Sequence, residues 1–178
     1  MVHSLSELLQ RAAAERWTTD SRKADDEARP LRDALAELVT SDAARFVEDL
    51  CEVDPADLYL IEGWAGALFH AFALLEPVQV QLVAERWHER FRADVRIVDW
   101  VLFQLVRTGR ISPPLSTAWL NSASALALDT RDPSLVESLL YVLGPKFGGR
   151  DDLRRLAKRL KYHPPLRHAL KRARDGGA

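Results

Sequence analysis

Asp54-Pro55-Ala56-Asp57-Leu58-Tyr59-Leu60-Ile61-Glu62-Gly63-Trp64-Ala65-Gly66-Ala67-Leu68-Phe69-His70-Ala71-Phe72-Ala73-Leu74-Leu75-Glu76 is the stretch whose reading decides the fold class. It opens with an acid followed by proline, the signature of an N-cap and first helical position. From Gly63 to Leu75 no residue is charged when His70 is neutral. A helix apolar nearly all round has no solvent face, which predicts a place inside the protein or inside a bilayer. A spanning helix needs about 20 apolar residues, so this shorter run predicts a buried core helix instead. Gly63 and Gly66 each cost about 1 kcal/mol in a helix interior relative to alanine, which marks them as points where another helix crosses closely. The stretch is therefore predicted to be the central helix of a soluble helical protein, closed by Glu76-Pro77.

Working outward, apolar spacing and start signals repeat the helical pattern on both sides. Downstream, Pro77 opens a helix with Val80, Val83, Trp87 and Phe91 inward, flanked by Val78 and Leu82; Gln79, Gln81, Glu85, Arg86, Glu89 and Arg90 face outward. Asp94 opens residues 95–106, where Val95, Val98, Leu102, Leu105 and Val106 share a stripe and Gly109 terminates the element. The β-branched residues suit a strand, but the length and stripe favour a helix, predicted to be the second most buried. Ser112-Pro113-Pro114, Asp132-Pro133, Asp151-Asp152 and Pro164-Pro165 begin four more helices, with Gly144-Pro145 as a stop.

Upstream, Ser4 and Glu7 form a capping box for a helix to about Trp17 that turns Leu5, Leu8, Leu9, Ala12, Ala13 and Arg16 to one side. Residues 18–29 are polar without apolar periodicity and read as a loop or linker. Pro30 then begins a helix carrying Leu31, Leu35 and Leu38, and Ser41 or Asp42 caps another with Ala43, Phe46, Val47 and Leu50 inward.

About ten helices with short connections and no convincing strand predict an all-α fold, an irregular α-solenoid of HEAT/armadillo-like helical pairs or a multi-helix bundle. The arrangement resembles HEAT- or armadillo-type repeat proteins in its proline-started amphipathic helices, without a matching consensus motif. The opening prolines at 30, 55, 77, 113, 133 and 164 are spaced by 25, 22, 36, 20 and 31, so no fixed period emerges. The expected organisation is a capping-box helix plus polar linker over 1–29 and a single helical domain over 30–175 with basic C-terminal helices.

The net charge of −1 conceals a strong polarity. Residues 1–100 contain 11 Lys+Arg and 20 Asp+Glu, whereas residues 101–178 contain 14 and 6. Such an imbalance points to an internal or head-to-tail match, or to an anionic partner for the basic end. Cys51 is the only cysteine, so no intramolecular disulfide forms, and the N-terminus lacks the basic flank and apolar core of a signal peptide. Both favour the cytoplasm. Arg outnumbers Lys 20 to 5, which suggests a GC-rich bacterial genome.

Chemistry-bearing motifs are scarce. Glu85-Arg86-Trp87-His88 has the Glu-x-x-His spacing of di-iron bundles, but one copy on a polar face predicts a solvated face and not a metal site. His70 reads as a neutral, hydrogen-bonded histidine, and Asp57 and Glu62 face different directions. Cys51 has no basic neighbour in sequence to activate it, and none of Ser112, Ser116, Ser122 and Ser124 sits in a nucleophile elbow. The 144–150 loop resembles a phosphate cradle, yet Asp151-Asp152 places two negative charges where a phosphate would dock. No cofactor is expected. Arg96, Asp99, Trp100 and Trp119, or Arg107 in place of Arg96, match in residue type the groove of HEAT-like alkylpurine DNA glycosylases. That resemblance implies a DNA-repair-type enzyme; the bland reading is an Arg96–Asp99 ion pair on a helix edge.

The strongest remaining signal is the basic end. Arg154, Arg155, Lys158, Arg159, Lys161, Arg167, Lys171 and Arg172 are predicted to project together while Leu153, Leu156, Ala157, Leu160, Leu166, Ala169 and Leu170 turn inward. Such a surface suits an acidic protein, a second copy of the chain, the polar cap of a solenoid or a nucleic acid. Phe147 and Tyr162 are the only aromatics nearby in sequence, which argues against base stacking. The reading that results is a non-catalytic helical interaction module or adaptor binding a protein partner. The alternative is a nucleic-acid-binding helical-repeat protein using these basic helices.

Overall fold

The capping box forms as its spacing requires. The Ser4 backbone N–H donates to the Glu7 carboxylate at 3.0 Å, and the Glu7 N–H donates to Ser4 Oγ at 3.2 Å. It starts α1 (Leu5–Ala14), whose Leu5, Leu8 and Leu9 are buried. The structure, a computed structural model, describes residues 4–14, 21–54 and 67–175. The side chains of Ala12 and Ala13, together with Arg16 and Trp17, lie outside that description. So do the helix opening at Pro55, the Asp57 and Glu62 carboxylates and the Gly63 and Gly66 crossing points.

Among the described residues the chain is all-helical, with ten α-helices and no strand. It divides into two compact units, Met1–Arg86 and Trp87–Ala178. In the first unit α2 (Ser21–Ser41) is the organising element: α1, α3 (Ala43–Glu52) and α4 (Ala67–Leu74) all pack on it. Leu31, Leu35, Leu38 and Val39 form its buried stripe.

Two expectations are corrected here. The expected linker is helical from Ser21, and the boundary drawn at 29/30 falls inside α2, with Pro30 in the helix interior. Proline lacks an N–H and crowds the preceding turn, but Ala, Arg, Lys and Glu upstream are strong enough helix formers to carry the helix through it. The central stretch also has an open side. Leu68, Ala71, Phe72 and Leu75 are buried, whereas His70 and Ala73 are exposed and Leu74 is 50% exposed. An uncharged sequence fixes which side chains can be buried; whether a neighbour covers each of them is a tertiary matter.

Asp42 caps α3, its carboxylate accepting from the Arg45 N–H at 3.0 Å. Asp42→Ala should cost about 1 kcal/mol of stability in urea unfolding. An unchanged midpoint would remove the cap from the account. α5 (Pro77–Phe91) follows, with Val80, Val83, Ala84, Trp87 and Phe91 buried, and the division between the units falls within it.

In the second unit Asp94 caps α6 (Val95–Val101) by accepting from the Arg96 and Ile97 N–H groups. The helix runs into a π-helical turn, Leu102–Val106, in which Arg107 N–H donates to the Leu102 carbonyl and Arg110 N–H to that of Leu105. The segment is helical, not a strand, and Gly109 ends it with φ +67°, a conformation glycine adopts freely. α7 (Pro113–Thr130), α8 (Pro133–Leu143), a 3-10 segment (Gly144–Gly149), α9 (Asp151–Arg159) and α10 (Pro164–Asp175) complete the unit.

α8 is its hub: α6, the π-helical turn, α7, the 3-10 segment, α9 and α10 all touch it. Asp132 caps α8 through the Ser134 and Leu135 N–H groups. Leu135, Val136, Ser138, Leu139 and Leu140 bury most of its surface. Phe147 is buried and anchors the 3-10 segment, whose Pro145, Lys146, Gly148 and Gly149 are exposed. No helix among the described residues is long and apolar enough to cross a membrane.

Candidate anion-binding face

The charge polarity follows the division of the fold. Met1–Arg86 carries 8 Lys+Arg against 17 Asp+Glu, a balance of −9, while Trp87–Ala178 carries 17 against 9, a balance of +8. On α9, Leu153, Leu156 and Ala157 are buried, which leaves Arg154, Arg155, Lys158 and Arg159 exposed on the remaining arc. On α10, Leu166 and Ala169 are buried, leaving Arg167, Lys171 and Arg172 exposed; Lys161 stands in the turn between the two helices. Arg154 pairs with Asp151 at 2.9 Å. Arg150 pairs with Asp152 at 3.3 Å, and its hydrogen bond, aided by the Leu153 N–H, holds the Asp152 carboxyl below the usual carboxylate range. Arg155, Lys158, Arg159, Lys161, Arg167, Lys171 and Arg172 form no ion pair among the described residues.

Aromatic rings meet one of these cations, Arg172, from positions that sequence reading did not connect. Phe103, on the π-helical turn and 36% exposed, meets Tyr141 of α8 edge-to-face at 6.3 Å. Arg107, just after the turn, places its guanidinium 4.6 Å from the Phe103 centroid and 5.9 Å from that of Tyr141. Arg172 of α10 comes over Tyr141 at 5.1 Å. Because the turn and α10 both pack on α8, residues far apart in sequence converge on one ring. Lys161 lies 5.2 Å from the centroid of Tyr162, which is 85% exposed. The thin aromatic content expected near the basic helices is thus corrected by tertiary convergence.

The four groove residues are placed differently from the expected opening. Trp119 is fully enclosed with its ring edge-on to His88 at 4.9 Å, and Trp100 is buried edge-on to Trp87 at 5.8 Å. Neither presents a ring face to a ligand. Arg96 is exposed, and Arg107 joins the Phe103–Tyr141 pair. Asp99 is half-buried, and its Oδ1 is buried without a hydrogen-bond partner. Burial pushes its carboxyl above the usual range; Asp132 and Glu137 add to this, and hydrogen bonding by Ser138 opposes it.

His88 is half-buried, not on a solvated face, because Trp119 packs against it and Ser122 Oγ lies 3.0 Å from its Nε2. No cluster of three metal-ligating side chains occurs among the described residues. His70 is exposed beside Phe69, and Cys51 is half-buried.

In the acidic unit, a shallow cleft of ≈ 470 Å³ lies among Ser4, Leu38, Asp42, Arg45, Phe46 and Asp49. Its charged groups are already engaged, since Asp42 caps α3 and Arg45 pairs with Asp49 at 3.0 Å. More unusual is the outer face of α5, where Val78 is 74% and Leu82 52% exposed one turn apart, against a sequence expectation that they flank the core. Compared with protein-family models, characterised proteins and solved structures, the chain gives no match.

Proposed function

We propose that this chain is a non-catalytic helical interaction module, an adaptor whose protein partner docks on the exposed face of α5. The observation that carries this reading is the pair Val78 and Leu82, 74% and 52% exposed at i,i+4 spacing on one helix. Two large apolar side chains in water at that spacing form the kind of ridge a partner helix covers. Glu76 and Glu85 are exposed beside them, within a unit of net charge −9. The partner chemistry that fits is therefore an amphipathic helix with Lys and Arg flanking its apolar stripe. The finer reading of the helices as HEAT/armadillo-like solenoid pairs belongs to the same proposal, because stacked helical pairs would offer such a docking surface.

The test is site-specific photo-crosslinking from positions 78 and 82 in the native host, followed by binding measurements with the purified partner. Val78→Glu with Leu82→Glu should abolish the crosslinks and weaken binding at least tenfold while leaving the thermal midpoint unchanged, since both positions are exposed. A partner bound equally well by the double variant would end the proposal, as would a face that crosslinks to nothing.

A further inference from the structure

We propose that Phe103, Arg107, Tyr141 and Arg172 form a binding site for a nucleotide unit of a single-stranded nucleic acid. This goes beyond the protein-docking reading and is independent of it, since the two rest on different helices.

Two guanidinium groups converge on one ring, their Cζ atoms 5.9 Å and 5.1 Å from the Tyr141 centroid. Neither Arg107 nor Arg172 forms an ion pair among the described residues, and Glu137, one turn earlier on α8, pairs with neither. Cation–π attraction holds each arginine over its ring, yet like charges in one place repel. An anion seated between them turns that repulsion into two charge-assisted contacts, and phosphate matches the planar donor fork of arginine.

The rings specify what accompanies the phosphate. Phe103 and Tyr141 meet at an interplanar angle of 89°, so their faces point in two directions. Aromatic faces and guanidinium planes are both platforms on which an unpaired base stacks. The Tyr141 hydroxyl makes no hydrogen bond among the described residues, so a base edge or sugar can use it. Cations alone would serve an acidic protein, and a stacked duplex would leave the rings idle; rings interleaved with arginines suit unpaired bases. Arg167 and Lys171 are exposed elsewhere on the arc of the same helix and add to its positive charge.

The experiment is fluorescence anisotropy with the full chain and a single-stranded oligonucleotide of about 12 nucleotides. Duplex of the same sequence, inorganic polyphosphate and polyglutamate serve as competitors, each at two salt concentrations. The single strand should bind and should outcompete the others. Arg107→Gln with Arg172→Gln should flatten the dependence of log K on log salt by about 0.7, the contribution of the one phosphate they share. Tyr141→Leu should weaken binding at least about fivefold with the salt dependence unchanged, whereas Tyr141→Phe should keep most of the affinity. Phe103→Ala, at a more exposed position, replaces Tyr141→Leu if circular dichroism shows that variant to be unfolded. The proposal is overturned if the single strand does not bind at low salt. It is equally overturned if polyphosphate binds as well and the ring variants change nothing, which would leave a diffuse cationic surface. Preferential displacement by polyglutamate would overturn it in favour of an acidic protein.

Discussion

Trp119→Ala is expected to lower the stability of the Trp87–Ala178 unit by about 3–5 kcal/mol, measured by guanidinium unfolding followed in the far-UV. Trp119 is fully enclosed and lies edge-on against His88 at an interplanar angle of 78°. Removing the indole takes away its transfer free energy, its ring contact and the packing partner of a half-buried histidine, and leaves a cavity lined by rigid helices. α7, which carries Trp119, touches α6, the π-helical turn, α8 and α9, so no single neighbour can move in to refill the space. Small domains are stable by roughly 5–15 kcal/mol, so the loss would consume a large share of the total. A change below about 1 kcal/mol would show that the enclosed indole contributes little to the packing of the unit. Replacing Ser122 with alanine, which removes only the hydroxyl beside His88, should cost about 1 kcal/mol and separates the hydrogen bond from the packing.

Asp99→Leu should make the protein more stable at pH 7, by about 1–3 kcal/mol, because a poorly partnered polar group leaves a buried position. Its dependence on pH follows from the raised pKa. The folded Asp99 carboxyl keeps its proton to higher pH than the unfolded one, whose value is about 3.9. Between those two values the native state binds more protons, so the unfolding free energy falls as pH rises. Above the folded value the destabilisation is fully present. The advantage of the leucine variant should therefore be largest at neutral pH and shrink as pH falls toward 4. A gap that stays constant between pH 4 and 7 would contradict the assignment. Asp132→Ala acts in two opposing ways, removing the α8 cap at a cost of about 1 kcal/mol while withdrawing one of the charges that disfavour ionised Asp99.

Most helices could be read from local chemistry. Asp42, Asp94 and Asp132 each announce a cap that the backbone N–H groups then use, and the stripes Leu31/Leu35/Leu38 and Val80/Val83/Trp87 are buried as their spacing requires. Pro30 misled because proline at a helix start and proline tolerated inside a helix look identical in sequence. Leu74 and Val78 misled because apolar composition does not reveal which apolar residues find a partner. The π-helical turn was invisible, since its i to i+5 bonding leaves no signature in a run of Leu, Phe, Gln and Val. The basic helices α9 and α10 were plain from their charges. The site built on Tyr141 was not, because its four residues come from three regions of the second unit that α8 brings together.

The segregation of charge between the two units has a consequence for the molecule in solution. With a net charge of only −1, the chain has almost no overall repulsion to keep copies apart near neutral pH. Its units of −9 and +8 nevertheless give the unlike units of different copies mutual attraction when salt is dilute. At physiological ionic strength the screening length is about 8 Å, short enough to weaken that attraction between exposed surfaces. The protein should therefore dissolve better as salt is added, and at low salt it should be retained by both anion- and cation-exchange media.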